Sequence, residues 1–179
     1  MPAASQLPLQ VVTPAGRILE AARPADVREI VALESRDDMS AYVCSWDAAR
    51  HLRNLKDPNW RYFVVRHTAG GIAGFAILSD LLSPNRWLVL ERIALEHHGS
   101  GLGTDVLRGV LGVAFGEAGA HRLALDVYED NLRARRVYEY LGFRQEGILR
   151  EAVWRGDRYV SLVVMAMLAS EWAQAAAAR

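Results

Sequence analysis

The fold of this 179-residue chain is decided by two stretches, WLVLERIALEHHGSGLG at residues 87–103 and LDVYEDNLRARRVYEYLGF at residues 125–143. In the first, an apolar run ending at Leu95 predicts a β-strand, and a glycine loop follows before apolar residues recur at helical spacing. In the second, apolar residues alternate as in a strand, and Asn131 is a suitable N-cap for a helix that Gly142 ends. The order strand, glycine loop, helix, strand, helix predicts a mixed α/β fold.

The sequence on either side predicts further strands and helices. A helix capped by Asp26 is expected to run to about Ser35, with Ile30, Val31 and Leu33 facing inward. The remaining predicted elements are a hairpin of residues 9–13 and 17–22, a helix over about 40–54, and strands at 60–67, 72–79, 143–152 and 159–168.

The composition excludes several classes of protein. The chain is 51% hydrophobic and 23% charged, which is typical of a folded domain. Its 21 basic and 21 acidic residues balance, so no net charge attracts it to nucleic acid or to an anionic membrane. The longest apolar run, residues 162–169, is far shorter than the roughly 20 residues that span a bilayer. We expect one domain over residues 1–179, acting as a monomer or homodimer.

Cysteine and histidine usage argues against a disulfide or metal site. Cys44 is the only cysteine and is expected to pack as a small hydrophobe. His97, His98 and His121 have no recognised ligand spacing, so no metal is expected. Residues 1–6 lack the basic start and apolar stretch of a secretory signal. These features predict a cytoplasmic protein.

The glycine loop before the first of these helices is a candidate anion site. A helix N-terminus has unpaired N–H groups and a positive dipole end, and glycines at 99, 101 and 103 let a phosphate approach them. The same glycines are also compatible with a mere tight turn. A dinucleotide-binding motif is excluded because Thr104 and Val106 stand where glycines are required, and a P-loop is excluded because Thr104-Asp105 follows Gly103.

Taken together, the two stretches resemble the acetyl-CoA-binding core of the GNAT N-acetyltransferases. The family pattern N-x-x-A-x-x-x-Y-x-x-x-G-F is met by residues 131–143, and the loop matches except that His98 stands where the family has Arg or Gln. The resemblance spans residues 87–168 and implies a mixed, mostly antiparallel central sheet flanked by helices. The run GFRQEGILR at 142–150 resembles the branch acting on ribosomal-protein N-termini and on polyamines. The family uses acetyl-CoA as the acetyl donor.

The resemblance also implies which residues bind the cofactor. The strand end would pair with the pantetheine chain as an added strand does, the loop would bind the pyrophosphate, and Asn131 would bond to pantetheine. The implied residues are Ile93, Ala94, Leu95, His98, Gly99, Ser100, Gly101, Leu102, Gly103, Thr104 and Asn131. Among Arg133, Arg135 and Arg136, one could meet the CoA phosphates, although a solvated helix face is the ordinary interpretation.

Acetyl transfer to an amine requires a base, an oxyanion donor and an acid for the leaving thiolate. Tyr138 occupies the family tyrosine and is the predicted acid; the alternative is a core tyrosine. Glu91 interrupts an apolar strand and is the candidate base; the alternative is a solvated strand-edge carboxylate.

The acceptor is left open by the sequence. Its pocket is expected from residues 35–60 and 80–86, with carboxylates available at Asp37, Asp38, Asp47 and Asp80. A protein N-terminal α-amine and a small-molecule amine, such as a polyamine or an antibiotic, both satisfy the resemblance. A non-catalytic CoA-binding module on the same fold is the alternative from another class.

Overall fold

One eight-stranded sheet organises the computed structural model, which describes residues 7–40, 42, 45–96 and 101–177. The strands are β1 (Gln10–Val12), β2 (Ile18–Ala21), β3 (Arg61–Arg66), β4 (Ile72–Ser79), β5 (Trp87–Leu95), β6 (Arg122–Tyr128), β7 (Arg144–Trp154) and β8 (Tyr159–Leu168). The helices are α1 (Val27–Glu34), α2 (Asp37–Ser40), α3 (Ala48–Lys56), α4 (Leu102–Leu111), α5 (Leu132–Leu141) and α6 (Ala169–Ala177).

The strands lie side by side in the order β1-β2-β3-β4-β5-β6-β8-β7. Every neighbouring pair is antiparallel except β5 and β6. To pair parallel to β5, β6 must begin at the same end of the sheet as β5 does, so the chain has to return along the strand direction between them. The segment that contains α4 forms this crossover. The mixed, mostly antiparallel sheet expected from the sequence is therefore confirmed.

Helices cover both faces of the sheet. On the α4/α5 face, Val106 of α4 and Leu141 of α5 pack against inward-facing strand residues such as Leu125. On the α1/α3 face, Ile30 of α1 packs with Phe75 of β4, and this smaller cluster is confined to β3, β4 and β5. The α1/α3 face of β6, β8 and β7 is consequently less covered among the described residues.

Most of the predicted elements are confirmed, and two local predictions are wrong. Asp26 does not cap α1 with its side chain, because its carboxylate binds Arg66 Nη2 at 3.0 Å and the Arg23 N–H at 2.8 Å instead. The helix predicted over 40–54 is α3, which begins at Ala48 because Asp47 accepts a hydrogen bond from the Arg50 N–H at 2.6 Å. Cys44 lies outside the described residues.

Candidate active site

Strands β5 and β6 separate partway along their length. They pair only from Trp87 opposite Arg122 to Val89 opposite Ala124, although both strands continue beyond these residues. The other edge of β5 is hydrogen-bonded to β4, so within the described residues the edge facing β6 keeps unpaired backbone groups. An extended ligand can bind such an edge as an added strand would. The predicted pantetheine-binding residues Ile93, Ala94 and Leu95 lie in this separated part of β5.

A bulge interrupts β5 at Glu91. Leu90 and Arg92 lie opposite consecutive residues of β4, so Glu91 between them is an extra residue without a partner in the register. Leu90 and Ile93 both pack into the α4/α5 core, and the two residues between them therefore both face the α1/α3 side. The bulge is the physical reason that a charged residue interrupts this apolar strand.

The carboxylate of Glu91 is held by one buried hydroxyl. Ser79, at the end of β4, is buried and donates its Oγ hydrogen to Glu91 Oε1 at 2.6 Å. The Glu91 side chain is otherwise exposed to solvent. One carboxylate oxygen is thus fixed, and the other is available to accept a proton from a bound molecule.

The N-terminus of α4 lies next to the separated end of β5. Gly101 precedes the helix with φ +76°, a left-handed conformation that side chains rarely adopt. A Cβ at Gly103 would lie 3.1 Å from Leu95 Cδ1, so the missing side chain lets the first helical turn approach the strand. The first N–H groups of the helix are available to an anion there. His98, Gly99 and Ser100 lie outside the described residues, whereas Leu102 and Thr104 belong to this turn.

A buried carboxylate anchors that first turn to the β1–β2 hairpin. Asp105 accepts hydrogen bonds from Thr13 Oγ1 at 2.5 Å, the Ala15 N–H at 2.9 Å and Arg17 Nη1 at 3.2 Å. Burial raises the pKa of Asp105, but these hydrogen bonds outweigh burial, and the net effect is a lowered pKa. The carboxylate therefore stays charged and fixes the position of the helix start.

Tyr138 lies on α5 in the α4/α5 core, in the same cluster as Leu90 and Leu95 of β5. Its ring is 5.7 Å from the ring of Phe143 in an edge contact. Burial raises the pKa of Tyr138, so its hydroxyl remains protonated at physiological pH. Among the described residues this hydroxyl has no hydrogen-bond partner. A protonated hydroxyl without a hydrogen-bond partner is suited to donate a proton to a bound ligand.

An open groove of about 530 Å³ lies on the α1/α3 face beside β5. We call it the acceptor groove; its lining residues are Asn59, Asp80, Leu82, Ser83, Pro84, Trp87 and Val89. Trp87 and Val89 share a face of β5 with the side chain of Glu91, so the floor of the groove leads toward that carboxylate. Asp80 borders the groove immediately after Ser79, which holds Glu91.

This geometry agrees with comparisons to known proteins. Residues 17–144 match the family model for an acetyltransferase (GNAT) domain. The chain belongs to the GNAT acetyltransferase family. Like other GNAT enzymes it moves acetyl from acetyl-CoA to an amine, and the open edge of β5 and the glycine-flanked start of α4 fit that donor.

This GNAT enzyme is similar to several relatives and solved structures. It is 28% identical over 162 residues to spermidine N(1)-acetyltransferase of Vibrio cholerae, covering 86% of this chain and 94% of that protein. It is 31% identical over 104 residues to a putative ribosomal N-acetyltransferase of Bacillus subtilis, covering 58% and 57% of the two chains. Vibrio cholerae spermidine N-acetyltransferase in complex with CoA and spermine has the same fold, with a TM-score of 0.78 at 24% identity over 94% of this chain and 99% of that one.

Other predicted residues of this GNAT enzyme have structural partners. Asn131 caps α5, its Oδ1 accepting from the Ala134 N–H at 3.1 Å, which leaves its side-chain amide group available to pantetheine. Arg135 donates to the Glu129 carbonyl at 3.1 Å, whereas Arg133 and Arg136 are exposed on the outer side of α5. The described residues contain no group of three or more possible metal ligands. None of the described helices has the length and hydropathy needed to cross a membrane.

Of the four carboxylates expected to serve the acceptor, only Asp80 lines the groove. Asp38 forms an ion pair with Arg36, and Asp47 caps α3. Asp37 follows α1 and is not part of the groove lining.

Sequence reasoning missed Asp126 of β6. Asp126 comes two residues after Ala124, the last residue of β6 that pairs with β5, just as Glu91 comes two residues after its partner Val89, so both lie where the two strands separate. It alternates with the core-facing Leu125 and Val127, so its side chain lies on the same α1/α3 face as Glu91. Desolvation by its surroundings raises the pKa of Asp126, although the residue keeps access to solvent. In the sequence, Asp126 is the polar residue of a strand with alternating apolar residues. Such a position is normally occupied by a solvent-facing side chain, so nothing in the sequence marked it as functional.

Proposed function

We propose that this GNAT enzyme acetylates a primary amine of an aliphatic polyamine. The supporting observation is the acceptor groove, whose lining combines apolar residues with the carboxylate of Asp80. Glu91 and Asp126 lie outside that lining, on the two strands that border the gap beside it. A polyamine needs both features, because its ammonium groups are separated by methylene segments. The Vibrio cholerae relative named for spermidine is aligned over 94% of its own length, which supports the same class of acceptor.

In this proposal Glu91 is the general base. An alkyl amine has a pKa of about 10.4, so it must lose a proton before its lone pair can attack the thioester carbon. The free oxygen of Glu91 accepts this proton and later releases it to solvent. A second proton leaves the nitrogen as the C–N bond forms, and it restores the hydroxyl of Tyr138 after that hydroxyl has protonated the sulfur. The hydrogen bond from Ser79 at 2.6 Å keeps the carboxylate facing the groove. The base is thus fixed before the acceptor binds.

The remaining two roles belong to backbone and to Tyr138. The free edge of β5 over Ile93, Ala94 and Leu95 offers an N–H to the oxyanion that forms when the carbonyl is attacked. When the C–S bond breaks, the sulfur takes up the hydroxyl proton of Tyr138. Because Tyr138 has no hydrogen-bond partner among the described residues, its hydroxyl is free to reach the sulfur. The products are the N-acetyl amine and CoA.

A panel of amines assayed by CoA thiol release tests the acceptor class. Spermidine and 1,4-diaminobutane are compared with butylamine, which has one ammonium group, with N-terminal peptides and with an aminoglycoside. We expect kcat/KM for spermidine to exceed that for butylamine by about tenfold or more, since each extra charge-assisted contact contributes about 1.5–3 kcal/mol. A preference for a peptide would replace the polyamine with a protein N-terminus. Tight CoA binding without thiol release from any amine would favour a non-catalytic module.

Charge-removing variants locate the acceptor in the groove. Asp80→Asn and Asp126→Asn are each expected to lower kcat/KM for spermidine about tenfold while leaving that for butylamine nearly unchanged. Glu139→Gln is the matched control, because Glu139 is an exposed carboxylate on α5, away from the acceptor groove. Equal losses with both substrates, or none in either variant, would contradict the assignment of these carboxylates.

The base is tested by Glu91→Gln. We expect kcat to fall about 10²-fold near neutral pH, and the loss to shrink at higher pH as the neutral fraction of the amine rises. A loss that is uniform across the pH range would show that Glu91 acts in another way.

A further inference from the structure

A buried ion pair lies directly behind the bulge of β5. Arg92, the residue after Glu91, donates from Nη1 to Glu34 Oε1 of α1 at 3.3 Å. Glu34 is completely buried and Arg92 is 9% exposed. The mechanism proposed above assigns no role to either side chain.

The second oxygen of Glu34 is also occupied. It accepts from the Trp46 N–H at 3.0 Å and contacts Nε2 of the buried His51 of α3 at 3.4 Å. Nδ1 of His51 lies 3.2 Å from the Tyr62 hydroxyl, and burial raises the pKa of Tyr62, so this hydroxyl remains a donor. With Nε2 as donor and Nδ1 as acceptor, His51 satisfies both contacts.

An aromatic ring completes the enclosure of Arg92. Its guanidinium carbon lies 3.7 Å from the centroid of the Trp46 ring, and that of Arg50 lies 3.8 Å from it. Arg92 is therefore held by a carboxylate and by an aromatic ring. The carboxylate belongs to α1, which covers the α1/α3 face of the sheet. We call Glu34, His51, Trp46, Tyr62 and Arg92 the buried polar cluster.

Such a cluster is a poor source of stability. Desolvating a carboxylate and a guanidinium costs several kcal/mol per ion, and well-packed apolar residues of similar volume often stabilise a core at least as well. What the cluster does supply is a fixed geometry for Arg92. Since Glu91 and Arg92 are consecutive and both face the α1/α3 side, fixing one limits the backbone orientations open to the other.

We propose that Glu34 and Arg92 are positioning residues that hold the bulge of β5 and thereby direct the Glu91 carboxylate toward the acceptor amine. This inference rests on the proposed role of Glu91 as base. Ser79 restrains the Glu91 side chain, and the buried polar cluster restrains the backbone from which it projects. A displacement of about 1 Å at a catalytic group can lower the rate about 10²-fold, so the restraint has a measurable effect.

The test uses the double variant Glu34→Gln/Arg92→Met, which removes both charges together and leaves no unpaired buried ion. The matched control is Asp26→Asn/Arg66→Met, which removes another ion pair, of 3.0 Å, at β3, two strands away from β5. It also removes the 2.9 Å contact of Arg66 with Glu20, whose side chain is partly exposed. We expect the double variant to lose 10- to 100-fold in kcat with an unchanged Kd for acetyl-CoA. The control is expected to keep wild-type kcat, whatever its change in Tm.

A third variant separates this inference from the role of Glu91 itself. Adding Glu91→Gln to the double variant should reduce kcat no further than Glu91→Gln alone, because both changes act through the same carboxylate. If Glu91→Gln alone keeps wild-type kcat, the proposed base is wrong. If Glu91→Gln is slow but the double variant keeps wild-type kcat, or the losses multiply, the positioning role is wrong.

Arg92→Lys provides a second route if the double variant does not fold. Lysine preserves the charge balance with Glu34 but lacks the planar guanidinium that binds the carboxylate and the Trp46 ring. We expect a folded enzyme with a kcat between those of wild type and Glu91→Gln. Wild-type kcat in folded Arg92→Lys would overturn the proposal.

Discussion

Replacing Tyr138 by Phe should lower the catalytic rate without lowering stability appreciably. A residue that serves only in packing would not show this combination. The variant keeps the ring that contacts Phe143 and removes only a hydroxyl that has no partner among the described residues. This hydroxyl is not one of the fully buried polar atoms that lack a partner, so its loss should change the free energy of unfolding by less than about 1 kcal/mol. We expect Tm to change by less than about 2–4 °C.

The same change should slow the chemical step. General acid catalysis contributes about 10²–10⁴-fold, and a thiolate with a pKa near 8.5 leaves fairly well unaided, so a loss of about 10²-fold in kcat is expected. Charge develops on sulfur only as the C–S bond breaks, and the Kd for acetyl-CoA should therefore be nearly unchanged.

The assay combines single-turnover acetyl transfer at saturating acetyl-CoA, calorimetric binding of acetyl-CoA and thermal unfolding. Tyr140→Phe is the control, because Tyr140 lies on the same helix but is 69% exposed. A wild-type single-turnover rate in Tyr138→Phe would refute the acid role and leave Tyr138 as a packing residue. A Tm lowered by more than about 4 °C would show that the hydroxyl makes a stabilising hydrogen bond.

Three further changes test the cofactor site and its anchor. Gly101→Val should weaken CoA binding at least tenfold, whereas Gly119→Val, strained in the same way at φ +62°, should only lower Tm; calorimetry with both variants decides this. Gly74→Ala places a Cβ 2.9 Å from the Ala94 carbonyl oxygen and should therefore displace the end of β5. We expect both a lower Tm and weaker CoA binding. An unchanged Kd for CoA would contradict this. Because the pKa of Asp105 is lowered in the folded protein, the ionised carboxylate stabilises the fold at any pH above its ordinary pKa. This stabilisation is lost as the pH falls through the lowered pKa. Unfolding curves of Asp105→Asn should lack this dependence on acid.

Local patterns were sufficient to predict the elements that build the cofactor site. The apolar run to Leu95, the helical spacing after Leu102 and the cap at Asn131 each depend on neighbours within a few residues, and each lies where it was predicted. The helix over 40–54 was misplaced because its start depends on which polar side chain caps it, and Asp47 forms that bond. Propensity alone does not discriminate between such nearby caps.

The sequence by itself determined the GNAT fold and acetyl-CoA as donor, because these follow from motifs that are contiguous in the chain. The residues assigned to the thioester, such as Tyr138, remain predictions. Only the tertiary structure decided how the acceptor side is built. Asp126 and Glu91 both lie just beyond the last paired residues of β5 and β6, and Glu34 binds Arg92 from 58 positions away. The bulge that turns Glu91 and Arg92 to one face is likewise set by pairing with β4. Contacts of this kind depend on which distant segments the folded sheet brings together, and no local spacing in the chain records them.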